Sequence, residues 1–307
     1  MTKIHLDTDI GGDMDDLCAL AMLLKWPDLD ITGVTTVSDE GGRRAGYVHY
    51  LLSLMGRTDI AYAAGADVAS GYYRYHLDYP PEEENWPEPI TPQPGSPDQA
   101  VALLSRSIEQ GAVIVATGPL TNLRLLEQQS RGMLARANLF VMGGYVFDIP
   151  AGYPQWRRED DYNIQVDVSS AHFVLSHAHP TLVPVTVTAQ TALRRAYLPR
   201  LETSGRLGQL IVRQAELCAR LEQYEQRYGE TCPGLPSDII NFLHDPLACA
   251  IALGWKEGVQ METIPLKLER RESWLYELPD CDGTPTRLVT HIDGNAFNEY
   301  WCQILCR

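Results

Sequence analysis

The chain has 307 residues, 45% of them hydrophobic and 21% charged, proportions of a globular protein able to bury a sizeable core. Its net charge of −15 argues against nucleic acid as a partner, because phosphate binding needs a basic surface. A small neutral or cationic ligand, or a divalent metal held by carboxylates, suits that field better.

The seven cysteines are scattered, odd in number and without a CxxC pair. They read as neither a disulfide framework nor a zinc site, and reduced thiols in a cytoplasmic protein are the expectation. Met1 leads straight into a strand-like run with no signal peptide, and no apolar stretch is long enough for a bilayer. No membrane partner is expected.

In chain order, residues 3–6 read as a strand and residues 17–25 as a helix closed by Pro27. The β-branched run 31–37 predicts a strand, 45–55 a helix, 60–64 a strand and 99–109 a helix. Residues 113–117, 139–142 and 181–185 read as further buried strands separated by helices. Two stretches break the rhythm, 70–97 (rich in Tyr, Pro and Glu) and 145–160, and loops of that length are commonly functional. A long helix is expected over 207–226, then a Gly/Pro-rich turn and another helix from about Asp245. The tail returns to strands at 266–268 and 287–292 and ends in a helix over 296–305. The sum is one domain over 1–307, an open, mostly parallel α/β sheet with helices on both faces and extra helices and strands near the C-terminus.

The strongest local signal is the run 7–16, DTDIGGDMDD, which places five carboxylates (Asp7, Asp9, Asp13, Asp15, Asp16) on a glycine-containing turn between strand and helix. In parallel sheets, ligands bind at the carboxyl ends of strands, where this turn lies. Crowded carboxylates are costly unless solvated or neutralised, and hard oxygens of this kind suit Ca²⁺ or Mg²⁺. The plain alternative is that Asp15 caps the next helix while its neighbours sit in water. An EF-hand does not fit, because a strand precedes the run and Cys18 holds the twelfth position. A haloacid-dehalogenase-type phosphatase would start strand-DxDx with Asp7 or Asp9 as nucleophile, but it wants Thr or Val where Gly11 stands.

A third reading draws on the rest of the chain. Strand-DTDIG followed by a DD pair, Thr35-Thr36-Val37, TGPLTNL at 117–123, VMGG at 141–144, DYNI at 161–164 with Asp167, and HDPLA at 244–248 resemble, in order, the segments of the nucleoside hydrolase family, over roughly residues 3–255. The resemblance implies an open Rossmann-like sheet and hydrolysis of a ribonucleoside to ribose and free base, in nucleoside metabolism or salvage. It also implies a Ca²⁺ ion that binds the attacking water and the ribose diol, with Asp9, Asp16, Asp245 and the Thr117 carbonyl as ligands. Asp9 would take the water's proton. Asp15, Glu40, Asn163 and Asp245 would hold ribose hydroxyls, and Asp161 would reach the 5′-hydroxyl. His244 resembles the histidine that protonates the leaving base in some members. The partner implied is a nucleoside, and the assembly a homodimer or homotetramer.

Plain alternatives stand beside these roles. His244-Asp245-Pro246 also reads as a helix start with Asp as N-cap and Pro at N1, and Thr117 simply enters a Gly-Pro turn. The sequence departs from the family pattern at Ile10, in a longer turn before Asp15, at Glu40 for the common Asn, and at Asp161 for the usual Glu. The family's His-Gly segment is not recognisable, though His76 lies near its place, and the base-contacting region around 224–236 cannot be aligned. Asp161 and the adjacent Arg157 and Arg158 leave open a modified or 5′-substituted nucleoside as substrate, while a ribose-binding protein without catalysis is a further reading.

Overall fold

The computed structural model describes residues 1–68, 73–74 and 79–307. The strands are β1 (Thr2–Thr8), β2 (Leu29–Thr36), β3 (Tyr62–Ala64), β4 (Val113–Ala116), β5 (Asn138–Met142), β6 (Thr181–Val183), β7 (Leu193–Arg194), β8 (Ile239–Asn241), β9 (Gln260–Arg271), β10 (Trp274–Pro279) and β11 (Thr284–His291). The helices are α1 (Asp15–Lys25), α2 (Arg43–Leu54), α3 (Glu82–Asn85), α4 (Pro97–Glu109), α5 (Thr121–Gln129), α6 (Tyr162–Gln165), α7 (Val168–His177), α8 (Val185–Thr188), α9 (Leu198–Glu202), α10 (Arg206–Glu222), α11 (His244–Ala252) and α12 (Gly294–Leu305).

A nine-stranded sheet runs β10-β9-β11-β6-β5-β4-β1-β2-β3. Its neighbours from β3 through β11 are parallel, and β9 and β10 add an antiparallel margin. The central strands are continuous apolar runs because both faces are covered: Ile4 and Leu6 of β1 and Ile114 and Val115 of β4 have no exposed surface. On one face α1 packs against α11 and α12, and its run from Asp15 to Leu23 is buried throughout. The order reverses between β1 and β4, which makes a crevice at the carboxyl ends of those strands.

The structure refines several expected elements. The strand expected over 181–185 ends at Val183, because Pro184 precedes a one-turn helix starting at Val185. The long helix stops at Glu222, where Gln223 takes φ +53°. The tail contains a strand, β10, that its mixed composition concealed. β8 pairs antiparallel with β7 and fixes the approach to α11. The expected N-caps are corrected. α1 is flanked by Met14 and α11 by Leu243, neither with a side-chain cap, so Asp15 and Asp245 lie inside first turns.

His5 in β1 is fully buried, with Nδ1 2.8 Å from Ser107 Oγ and Nε2 3.0 Å from Thr35 Oγ1. Burial pushes its pKa from 6.5 down to about 3, so the folded protein holds it neutral. The unfolded chain accepts a proton below about pH 6.5 that the folded chain refuses, so this contribution is complete above that pH and is lost as pH falls toward 3. The slope is up to about 1.4 kcal/mol per pH unit. Urea unfolding of wild type and His5→Gln between pH 7 and 4.5 should show a shallower pH dependence in the variant; equal slopes would mean that His5 is not the group titrating.

Candidate active site

The crevice at the switch point opens into a cavity of about 270 Å³. Its floor is made by strand ends: Asp9 follows β1, Thr117 follows β4, Met142 closes β5 and Val185 follows β6. Gly11 lets the β1 turn fold back, since it has φ +110° and a Cβ there would lie 2.3 Å from the Tyr47 ring. Gly118 allows β4 close to the first turn, because its Cβ would meet Asp9 Oδ1 at 2.9 Å.

Asp9, Asp15, Asp16 and Asp245 all line the cavity and are buried. Carboxylate oxygens of Asp15, Asp16 and Asp245 lie within 4.8 Å of one another. Asp16 is oriented by the hydroxyls of Thr8 and Thr117, both donating to Oδ1, the latter at 3.2 Å. Burial, and then mutual repulsion, pushes the carboxyls of Asp9, Asp15 and Asp245 above the usual range. Burial alone does so for Asp16, whose hydroxyl partners and the Arg44 charge act in opposition. Arg44 is fully buried on α2 and donates to the carbonyls of Ser38 and Ile10 at 2.8 and 3.0 Å. Its charge is the countering one for Asp9 and Asp16.

This arrangement fits a divalent cation. The donors are hard oxygens, gathered closely and short of positive charge. Thr117 also lines the cavity, and its carbonyl accepts from Asn163 Nδ2 at 3.0 Å. The same Nδ2 reaches the Met142 carbonyl at 3.1 Å. Asp161 is buried and takes the Gly144 amide at 2.6 Å; burial raises its pKa to about 7.

The opposite end of the cavity is aromatic. Trp156, Tyr224, Tyr228, Phe242 and His244 line it. Trp156 meets Phe242 edge-on at 4.8 Å and donates from Nε1 to the Tyr228 hydroxyl at 3.1 Å. His244 lies over Phe242 with centroids 5.2 Å apart, and its Nδ1 is 2.7 Å from Thr188 Oγ1. Burial lowers its pKa to about 3, so the resting ring is neutral.

Of the residues singled out from the sequence, Asp9, Asp15, Asp16, Thr117, Asp161, Asn163, His244 and Asp245 converge on this cavity. Glu40 does not line it and is exposed. Its neighbour Asp39 is the buried one, accepting from the Arg44 and Ala45 amides at the start of α2. Asp7 is also removed from the site: it is fully buried, accepts from Thr35 and Asn122, and is no accessible nucleophile. Arg157 is exposed outside the lining. Arg158 donates to the Tyr145 carbonyl at 2.9 Å and lies 3.9 Å from buried Glu277 on β10. The Arg158 charge also acts on Asp161, but neither arginine lines the cavity. His76 lies outside the described residues. Arg44 and the aromatic wall were not recognised from the sequence, and Asp13 was counted in the acidic run without a role of its own. An arginine beside the apolar positions Ala45 and Val48 of a helix was the one available hint.

A parallel α/β sheet with an aspartate-lined, aromatic-walled cavity at its switch point defines an enzyme that takes a small ligand with one polar and one planar part. The family model of inosine-uridine preferring nucleoside hydrolases matches residues 4–299. The pyrimidine-specific ribonucleoside hydrolase of Salmonella arizonae is 30% identical over 261 residues, covering 81% of this chain and 78% of that one. Its counterpart in Escherichia coli O9:H4 is 29% identical with the same coverage. Among solved structures, the purine-preferring ribonucleoside hydrolase from Gardnerella vaginalis aligns with a TM-score of 0.78 at 18% identity, over 99% of this chain and 98% of that one. A plant nucleoside hydrolase gives 0.73 at 18% identity, over 99% of both; these two likenesses speak for the fold. The chain belongs to the inosine-uridine preferring nucleoside hydrolase family. No helix among the described residues is long and apolar enough to cross a membrane.

The carboxylate cluster generates a test that needs no turnover. A divalent cation bound only by the folded state adds stability that grows with its concentration, about 2.7 kcal/mol at 100 times Kd. Thermal unfolding with and without Ca²⁺ should show Tm rising by several degrees. Asp16→Asn and Asp245→Asn should each lose that rise while leaving the cation-free Tm unchanged or higher, because one repelling charge is gone. A wild-type Tm indifferent to millimolar Ca²⁺ and Mg²⁺ would overturn the assignment.

Proposed function

We propose that this chain is a Ca²⁺-dependent ribonucleoside hydrolase that cleaves the N-glycosidic bond to give ribose and free base. The observation that carries the reading is the division of one cavity into an end rich in buried aspartates and an aromatic end. A ribose diol suits the first and a planar base the second. Lys and Arg are absent from the described lining while seven aspartates are present, so an uncharged nucleoside is favoured over a 5′-phosphorylated one.

Asp9, Asp16, Asp245 and the Thr117 carbonyl hold the cation, and Asp15 adds a carboxylate to that group. When bound, Ca²⁺ supplies positive charge that makes a nearby water easier to deprotonate and vicinal hydroxyls easier to bind. Asp9 takes the proton of the attacking water. Asp15, Asn163 and Asp245 orient the ribose hydroxyls, and Asp161 accepts from the 5′-hydroxyl. The water oxygen bonds to the anomeric carbon as the C–N bond breaks, and that electron pair leaves on the base nitrogen. The sugar passes through an oxocarbenium-like state, as in glycoside hydrolysis. His244, neutral at rest, relays to the departing base nitrogen a proton that it takes up from solvent. The aromatic wall packs on the base and keeps water from its faces.

Incubation with a panel of purine and pyrimidine ribonucleosides plus CaCl₂, read as reducing sugar, should release ribose. Asp16→Ala and Asp245→Ala should abolish release. The 2′-deoxynucleosides should lose ~100-fold or more in kcat/KM, since a ligand that strengthens in the transition state is missing. Full activity after exhaustive chelation, or equal rates for ribo- and deoxyribonucleosides, would contradict the reading.

For His244, replacement by Ala should cost ~10²–10⁴-fold on natural nucleosides, the usual span of general acid catalysis. It should cost little on p-nitrophenyl riboside, whose leaving group departs without a proton. Equal losses on both substrates would assign His244 to positioning instead.

A further inference from the structure

β10, the outermost strand of the antiparallel margin, carries Leu275 and Glu277 two residues apart and therefore on one face, both without exposed surface. A glutamate buried on a strand that takes no part in the cavity is costly unless it serves another group. Gln165 of α6 clamps that strand. Its Nε2 donates to the Leu275 carbonyl at 2.9 Å and its Oε1 accepts from the Leu275 amide at 3.0 Å. Glu277 then meets the segment after β5, where it accepts from the Tyr145 amide at 3.4 Å.

The same segment holds Asp161 and Arg158 in a closed ring of hydrogen bonds. The Gly144 amide donates to Asp161 Oδ2 at 2.6 Å, and Arg158 Nη2 donates to the Tyr145 carbonyl at 2.9 Å. The Asp161 amide closes the ring by donating to the Arg158 carbonyl at 3.1 Å. The guanidinium is fixed further by the Tyr276 ring at 4.3 Å, the Tyr145 ring at 5.2 Å and Glu277 Oε2, 3.9 Å from its Nε. Burial, and then the Asp161 charge, pushes the Glu277 carboxyl up to about 8. Near neutral pH Asp161 therefore ionises first, and the Arg158 charge acts on it without entering the cavity lining.

We propose that Arg158, anchored by Glu277, is a positioning residue that fixes the Asp161 carboxylate as the acceptor of the ribose 5′-hydroxyl. Selection at the 5′ carbon then depends on β10, a strand outside the cavity. A guanidinium in the lining would draw anionic 5′-substituents. One tied into the ring steadies the carboxylate and leaves it as the group that meets the substrate. This rests on the hydrolase reading above and deepens its account of Asp161.

The test is a double-mutant cycle read with the ribonucleoside of the panel that turns over fastest and with its 5′-deoxy analogue. In the wild type the analogue should lose ~10-fold or more in kcat/KM, the worth of a hydrogen bond to a charged group. Arg158→Gln should cost the ribonucleoside a comparable factor and the analogue less than ~3-fold. Arg158→Lys keeps the charge and should cost the ribonucleoside less than Arg158→Gln does. In an Asp161→Ala background, Arg158→Gln should cost the ribonucleoside no more than ~2-fold further, because the group it positions is gone. Equal losses on both substrates, or a full loss that persists beside Asp161→Ala, would make Arg158 a scaffold residue and overturn the proposal. Should Arg158→Gln fail to fold, Arg158→Lys is read through the same cycle, and a loss that survives Asp161→Ala overturns it there. If the wild type cleaves both substrates equally well, the proposal is refuted and the hydrolase reading stands. If no ribonucleoside in the panel is cleaved, the hydrolase reading fails and the proposal with it.

Discussion

Four aspartate side chains buried at one point, with the Arg44 guanidinium set against them, is the constraint around which the rest of the site is arranged. Asp9, Asp15, Asp16 and Asp245 are each at most 6% exposed. A carboxylate taken from water without a partner costs several kcal/mol, and here each also feels the others. The fold meets part of that cost. Thr8 and Thr117 donate to Asp16, and Arg44 is sunk fully into α2 with its charge acting on Asp9 and Asp16. What remains is net negative charge held rigidly by strand ends and the first turns of α1 and α11. A cation completes such a cluster, whereas water would only dilute it. Arg44 has a second consequence, because its Nη2 has no hydrogen-bond partner. It is kept for its charge more than for its bonds, so replacing it would unbalance the cluster without opening the cavity.

The two ends of the cavity are built from different kinds of structure. The carboxylate end sits on β1, β4, β5 and the first turns of α1 and α11, elements fixed by the central sheet and its buried helices. The aromatic end draws on the 145–160 loop through Trp156, on the segment after α10 through Tyr224 and Tyr228, and on the residues after β8 through Phe242. Rigid elements hold reacting groups to fractions of an ångström, and loops vary without disturbing them. The carboxylate end is therefore held by the rigid elements, and the aromatic end by segments that can vary without disturbing it.

That division also governs what the sequence could reveal. The βαβ rhythm, the switch-point turn and the HDPLA helix were legible because strands buried on both faces are continuous apolar runs and because clustered carboxylates have few structural uses. β10 was missed since it lies in the antiparallel margin, where inward and outward residues mix, as in Tyr276-Glu277. Asp245 looked like an N-cap from its place before a proline, but helical backbone already begins at His244. The arginines at 157 and 158 looked like anion ligands by adjacency to Asp161. In space Arg158 serves Glu277, a residue more than a hundred positions away that no local pattern could supply. Glu40 and Asp39 show the same limit, because a one-residue difference in a turn decides which carboxylate is buried, and only backbone geometry fixes that.

The lengthened turn after β1 ties the two ends together. It brings Asp13 to Asn241, which in turn accepts from the Phe242 amide at 2.8 Å, while the Asp13 charge still acts on Asp9 and Asp15. Phe242 packs on Trp156, Tyr224, Tyr228 and His244. A chain of short contacts thus runs from the carboxylate-bearing turn to the aromatic wall and to His244. A shorter turn would leave Asn241 without this partner and the aromatic wall without its anchor to the sheet. The same residue that braces the wall also borders a second cavity, so one turn shapes both cavities.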